Sequence, residues 1–257
     1  MNQPLEIANN YIGVAKGKTS NAWYKILILA VLAGGFIALG GAFATVAGAA
    51  VGGTTGVLIK GAVFPLGLML VVICGAELFT GNCLLIAPLL NRDIKVKGML
   101  KNWGIAYVGN FIGAILIALL VVYSNTYGER GDVIADAAIK LVEIKSGLNF
   151  GTALLKGILC NMLVCLAVWA AMASKNAAGK ILAVYLPVFA FVVCGFEHSI
   201  ANMYYIMSAA MLNSGAFNFG YAILNGLLAP TIGNIIGGAL IAVAYWAVYF
   251  KRNNVVE

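Results

Sequence analysis

Apolar residues run along this chain in long blocks rather than in alternation. A membrane helix needs about 20 mostly apolar residues. Six stretches reach that length: about Lys25 to Val51, Gly61 to Leu90, Asn102 to Tyr123, Leu148 to Ala173, Ile181 to Leu212 and Tyr221 to Phe250. The first is too long for a signal-peptide core, and no small-residue cleavage site follows a short apolar run, so it reads as a retained helix. Two shorter stretches are amphipathic. Before the first span, Ile7, Tyr11 and Val14 recur at i, i+4 and i+7, the spacing of a helix face. In the long loop from Ser124 to Gly147, Val133, Ile134, Ala137, Leu141 and Ile144 share one helical face. Both predict short helices lying on the membrane surface.

Composition narrows the class. The 257 residues are 62% hydrophobic and 10% charged, against about 45–50% and about 25% in a soluble domain. Such a chain cannot cover itself in water, which excludes an ordinary soluble enzyme, a disordered chain and a nucleic-acid binder. The 31 glycines suit closely packed membrane helices. The net charge of +7 is explained by where the basic residues fall. Lys16, Lys18, Lys25, Arg92, Lys95, Lys97, Lys101, Lys175, Lys180, Lys251 and Arg252 all lie on one side of a six-span chain. The other side holds Lys60, Arg130, Lys140 and Lys145, the last three sharing a loop with Glu129, Asp132, Asp136 and Glu143. The positive-inside rule then puts both termini in the cytoplasm, as a multi-pass protein of a bacterial-type inner (plasma) membrane. Cys74, Cys83, Cys160, Cys165 and Cys194 fall inside or at the ends of apolar spans without metal-ligand spacing. They read as unpaired apolar filler, and no metal or cofactor is expected.

The second and fifth spans each carry a carboxylate where lipid should exclude one. GAELFTGN, Gly75 to Asn82, aligns without a gap on GFEHSIAN, Gly195 to Asn202. The third and sixth spans match as well, GNFIG (Gly109 to Gly113) on GNIIG (Gly233 to Gly237). Two matches in register indicate an internal repeat, about 22–123 and about 148–250, within one transmembrane domain of residues 1–257. Three spans per copy is an odd number, so the second copy crosses upside down. Inverted repeats place the substrate site at their interface near the midplane, often where helices break. Spans two and five look broken, and backbone groups freed there must face protein or cavity water.

Ionisable residues inside a membrane are functional candidates by default. They are Glu77, Glu197, His198 and Lys156, with Thr80, Asn82, Asn110, Asn161, Ser199, Asn202 and Asn234 as the neutral polar set. His198, the chain's one histidine, is either a satisfied buried ring or a pore residue able to switch between donor and acceptor. The equivalent positions of Glu77 and Glu197 suggest a shared structural job, accepting the open N–H groups beside a helix break; a proton-carrying role is the alternative. Asn82 and Asn202 belong to the same helix-break motifs. Thr80 offers a hydroxyl to His198 or to a substrate, and Lys156 either snorkels or pairs with an interior carboxylate.

At these residues the chain resembles the formate/nitrite transporter family. The resemblance covers about Lys25 to Phe250. Besides the motifs above, it is carried by NWGIAYVGNFIG (Asn102 to Gly113), KGILCNMLVCLAVW (Lys156 to Trp169), GFEHSIANMY (Gly195 to Tyr204) and GNIIGG (Gly233 to Gly238). It implies an all-α, aquaporin-like protomer of six transmembrane helices, a 3+3 inverted repeat with helices two and five broken. It also implies a homopentamer in the lipid bilayer with one pore per protomer for small monovalent anions. His198 then resembles the central pore histidine, Thr80 the threonine of the break in helix two, and Asn161 the helix-four asparagine. Phe64, Leu68, Leu78, Phe79 and Phe191 resemble two apolar constrictions around the histidine. Lys145 resembles a lysine that attracts anions on the periplasmic side, and Glu197 stands beside the histidine in the pore.

The implied function is a pH-sensitive channel or transporter for formate or nitrite, with no enzymatic activity. A hydrosulfide channel or a proton-coupled symporter for acetate or lactate is the alternative. A water channel would show paired NPA motifs, an ammonium channel two pore histidines, and a hydrolase a nucleophile separated from its base, whereas Ser199 adjoins His198.

Overall fold

A computed structural model describes residues 1–128, 132–213 and 215–250, and these are helical apart from turns and two helix breaks. Glu129, Arg130, Lys251 and Arg252 lie outside the described residues. The helices are α1 (Pro4–Ser20), α2 (Trp23–Val51), α3 (Gly53–Cys74), α4 (Gly81–Leu90), α5 (Val96–Tyr123), α6 (Val133–Ser146), α7 (Phe150–Ala173), α8 (Ala177–Val193), α9 (Ser199–Asn213) and α10 (Phe219–Phe250). Among the described residues, α2, α3, α5, α7 and α10 are each long and apolar enough to cross a membrane. Outward faces stay apolar, with Leu120 on α5 and Leu182 and Leu186 on the shorter α8 all at least 66% exposed, as contact with lipid tails allows.

The expected spans two and five are interrupted. Helix α3 stops at Cys74 and Gly75 takes the left-handed conformation, φ +75°. Helix α8 stops at Val193, and Gly195 has φ +64°. Only glycine adopts this geometry cheaply, which is why each motif opens on one. The chain then runs unwound to the next helix, which starts as a tight 3-10 turn at Gly81 after the first break and as a 15-residue α-helix at Ser199 after the second.

The matched glycine motifs set the tightest helix crossings. A Cβ added at Gly113 would run into the Val31 carbonyl of α2, and one at Gly237 into the Ile158 carbonyl of α7. Gly109 and Gly233 meet the same two helices one turn away. Small residues four apart let backbones touch, so α5 packs on α2 and α10 on α7. Between each glycine pair sits an asparagine, Asn110 or Asn234, fully buried and aimed at a break.

Four expectations change. Residues 133–146 do form a helix, but its buried stripe is Ile134, Ala138, Val142 and Lys145, while Val133 and Ile144 are exposed. On α1, Ile7 and Tyr11 are buried as the spacing implied, but Val14 is exposed and Ala8 and Ala15 complete the face. Cys74 and Cys194 are exposed at the two helix ends, so only Cys83, Cys160 and Cys165 act as buried filler. Lys60 lies inside α3 rather than in a connection.

Tyr127, in the loop after α5, hydrogen-bonds the hydroxyl of Tyr204 on α9, and both are buried. Tyr127→Phe leaves the Tyr204 hydroxyl unpartnered. It is expected to destabilise the fold by about 1 kcal/mol, read as a lower denaturation midpoint in mixed micelles.

Candidate functional site

The two breaks are held by the same set of bonds. In the first, the Phe79 N–H donates to Asn110 Oδ1 at 2.9 Å, and Asn110 Nδ2 donates to the carbonyls of Glu77 and Ala30 at 2.9 and 2.8 Å. In the second, the Ser199 N–H donates to Asn234 Oδ1 at 2.9 Å, and Asn234 Nδ2 donates to the carbonyls of Glu197 and Gly157 at 2.9 and 2.8 Å. The Glu77 N–H is taken by Leu29 of α2 and the Glu197 N–H by Lys156 of α7. Asparagine suits this place because one side chain carries both an acceptor and two donors.

The carboxylates therefore do not cap the freed backbone, as the sequence suggested; the asparagines of the glycine motifs do. Glu77 Oε2 instead accepts from Asn82 Nδ2 at 2.7 Å and Asn102 Nδ2 at 3.3 Å, and pairs with Lys18 Nζ at 3.0 Å. Glu197 Oε2 accepts from Asn202 Nδ2 at 2.7 Å and pairs with Lys145 Nζ at 2.7 Å. Lys18 and Lys145 come from the two short surface helices, α1 and α6. Lys156, offered as a partner for an interior carboxylate, forms none of the ion pairs seen among the described residues. From the sequence, Lys18 and Asn102 had no place in the site, and Asn110 and Asn234 stood only as neutral polar residues within the spans, without a role. The repeat held the signal, since both matched motifs already contain the asparagines.

Thr80 and His198 meet between the breaks. Thr80 Oγ1 lies 2.9 Å from His198 Nε2. The Ala201 N–H donates to His198 Nδ1 at 3.1 Å. A backbone N–H can only donate, so Nδ1 presents its lone pair and the ring's proton sits on Nε2, donated to Thr80 Oγ1. The imidazole is neutral in this arrangement. Asn161 secures the same spot, donating Nδ2 to the Thr80 carbonyl at 3.1 Å and to the Asn234 carbonyl at 2.6 Å. Asn161 Oδ1 and Ser199 Oγ are buried without partners among the described residues, leaving polar atoms available beside the threonine–histidine pair.

Cavities open to either side. One, of about 520 Å³, is lined by Tyr11, Lys18, Leu68, Glu77, Leu78 and Asn82 among others. The other, of about 110 Å³, is lined by Lys60, Phe64, Lys145, Phe191, His198 and Tyr205 among others. Phe191 stacks on the His198 ring at 5.9 Å, and Phe64 meets Phe191 edge-on at 5.7 Å. Leu68 and Leu78 thus fall to the first cavity, Phe64 and Phe191 to the second. Phe79 joins neither lining; its ring packs edge-on against Trp103 and Tyr107 at 5.9 and 5.0 Å. Glu197 also stays out of the lining residues, behind Lys145.

Apolar crossing helices, paired helix breaks and a buried polar centre between two cavities define the class: a multi-pass helical membrane protein built to move small solutes. Sequence comparison specifies it further. The family described as formate/nitrite transporter matches residues 5–247, and the chain belongs to that family. It is 36% identical over 269 residues to a probable formate transporter of Methanothermobacter thermautotrophicus, covering 97% of each chain. Its fold superposes on a solved FNT family ion channel with a TM-score of 0.83 and 27% identity, over 94% of this chain and 96% of that one. A structure described as a pentameric formate channel with formate bound matches with a TM-score of 0.77 and 32% identity, over 90% and 98%. These relatives are channels and transporters, not enzymes.

Proposed function

We propose that this protein passes small monovalent anions, formate or nitrite, through a pore in each protomer between the two cavities. Six crossings make up the protomer: α2, α3 with α4, α5, α7, α8 with α9, and α10. They form two inverted halves, and the parallel bonding of Lys18–Glu77–Asn82 and Lys145–Glu197–Asn202 extends each half to include its surface helix. The protein assembles as a homopentamer, as the relative described as a pentameric formate channel does, in a plasma membrane with both termini cytoplasmic. The larger cavity, beneath α1, is then the inner vestibule and the smaller one the outer.

The observation that carries this reading is the Thr80–His198 bond joining the two breaks between the cavities. A bare anion entering apolar surroundings loses its hydration at high cost. Leu68 with Leu78, and Phe64 with Phe191, would impose that cost on either side of the pair. His198 offsets it as a neutral ring whose Nε2–H supports the Thr80 hydroxyl, leaving that hydroxyl to donate to the anion. Forming imidazolium requires Nδ1 to release the Ala201 N–H, so protonation and a local rearrangement are coupled. That coupling makes the passage pH-sensitive.

The test is influx of formate and nitrite into proteoliposomes at several pH values, with hydrosulfide, acetate and lactate as competitors. His198→Asn is expected to lower formate influx about tenfold or more, the factor lost for each 1.4 kcal/mol of barrier stabilisation, and to flatten the pH profile. Unchanged influx and profile remove His198 from the mechanism. Equal passage of a large neutral solute removes the anion reading.

A further inference from the structure

We infer that Lys60 forms an outer anion-binding subsite, supplying the uncompensated positive charge that gathers the anion beside His198. The inference rests on the reading of this cavity as the outer mouth of an anion path. Two lysines line the cavity, and they are not equivalent. Lys145 is tied to Glu197 at 2.7 Å, with the two side chains 10% and 4% exposed. Its field is that of a tight ion pair, which falls off faster with distance than the field of a single charge. Lys60 is half-buried, and none of the ion pairs among the described residues includes it. Among the described residues, the net positive charge lining the cavity is therefore that of Lys60.

The fold builds this lysine into place. Gly52 and Gly53, with φ of +71° and +54°, turn the chain so that α3 runs back along α2. Gly56 of α3 then packs on the Gly48 carbonyl so closely that an added Cβ would collide with it. One turn further along α3, the stem of Lys60 lies across Gly48, where an added Cβ would overlap the lysine's methylenes. On the other flank, a Cβ at Gly61 would strike Val193, with Phe189 beside it, both on α8. Gly48 is thus the slot that holds the lysine arm against α2, with Lys60 in the cavity lining. Lysine presents a compact point charge with three donors, which suits a small oxyanion without selecting a particular shape. The cavity, of about 110 Å³, has room for a small oxyanion. Partial burial strengthens the attraction relative to bulk water, and a charged cleft of this kind concentrates counter-ions at its mouth.

The test follows initial rates of formate influx from this side against formate concentration, at low and high ionic strength. Lys60→Met is expected to raise the half-saturating concentration about 3–10-fold with the maximal rate within about twofold, and to reduce the salt dependence. Lys60→Arg should retain the wild-type values. Gly48→Ala should displace the lysine arm and shift half-saturation in the same direction, adding nothing when combined with Lys60→Met. A Lys60→Met protein with unchanged half-saturation and salt dependence overturns the subsite, whatever its maximal rate. Broadening of the ¹³C-formate resonance by detergent-solubilised protein gives a readout independent of flux. If wild-type protein shows no flux yet broadens the signal through Lys60, the channel reading fails and the subsite stands. If flux is present and both readouts ignore Lys60, the subsite fails and the channel reading stands.

Discussion

Asn234→Leu is expected to destabilise the protein by about 3 kcal/mol or more. The variant leaves the Ser199 N–H and the Glu197 carbonyl without the partners that Asn234 provides at 2.9 Å each. A buried backbone group without a partner costs about 1–3 kcal/mol, and neither water nor a regular helix stands ready to replace the asparagine within a break. The loss also loosens His198, one residue before Ser199. The denaturation midpoint in mixed micelles should therefore fall, and formate influx per folded protomer should fall with it. Asn234→Asp tests the logic, because it keeps the acceptor for Ser199 and loses both donors. A leucine variant as stable as wild type would mean that the break is held by something other than these bonds. Asn110→Leu should behave alike, since Asn110 makes the corresponding bonds at the first break.

Glu197→Ala should cost about 3–5 kcal/mol, the range for breaking one side of a buried ion pair. It strands the Lys145 ammonium, whose side chain is only 10% exposed, and removes an acceptor from Asn202. Replacing both members with methionine, Glu197→Met with Lys145→Met, should recover most of that loss, because two apolar groups of similar size need no partner. The coupling energy from this double-mutant cycle is the measurement. Additive single effects would show that the pair is not energetically linked. Glu77→Ala should cost less, since its partner Lys18 keeps 21% side-chain exposure and can turn toward water.

Much of this was legible before any coordinates. In a chain with 10% charged residues, each polar group inside an apolar run stands out, and the repeated ones mark repeated structure. That made the breaks at Gly75 and Gly195 readable, and it placed Thr80 and His198 in them. What stayed hidden was which polar group serves which. The carboxylates looked like caps for freed N–H groups, yet Asn110 and Asn234 fill that role from helices α5 and α10, which cross the breaks rather than adjoin them in sequence. The face of α6 was misread because residues 133–146 carry two overlapping apolar stripes. A surface helix exposes apolar residues to lipid as readily as to protein, so periodicity alone does not choose between them. The lysine at the end of the stripe that is buried, Lys145, makes sense only once Glu197 is known to lie beneath it.

The sequence by itself determined the material and its landmarks: apolar spans, matched glycine-asparagine motifs, two glycine-led breaks, and one histidine placed in the second of them. These follow from local rules, because lipid tolerates few polar groups and left-handed turns favour glycine. Only the tertiary structure decided the pairings. Thr80 and His198, Glu197 and Lys145, and Lys60 and the slot at Gly48 join residues on separate helices. Hydrogen bonds and ion pairs act over about 3 Å, so their partners are settled by how helices cross, and the chain's linear order does not encode that distance.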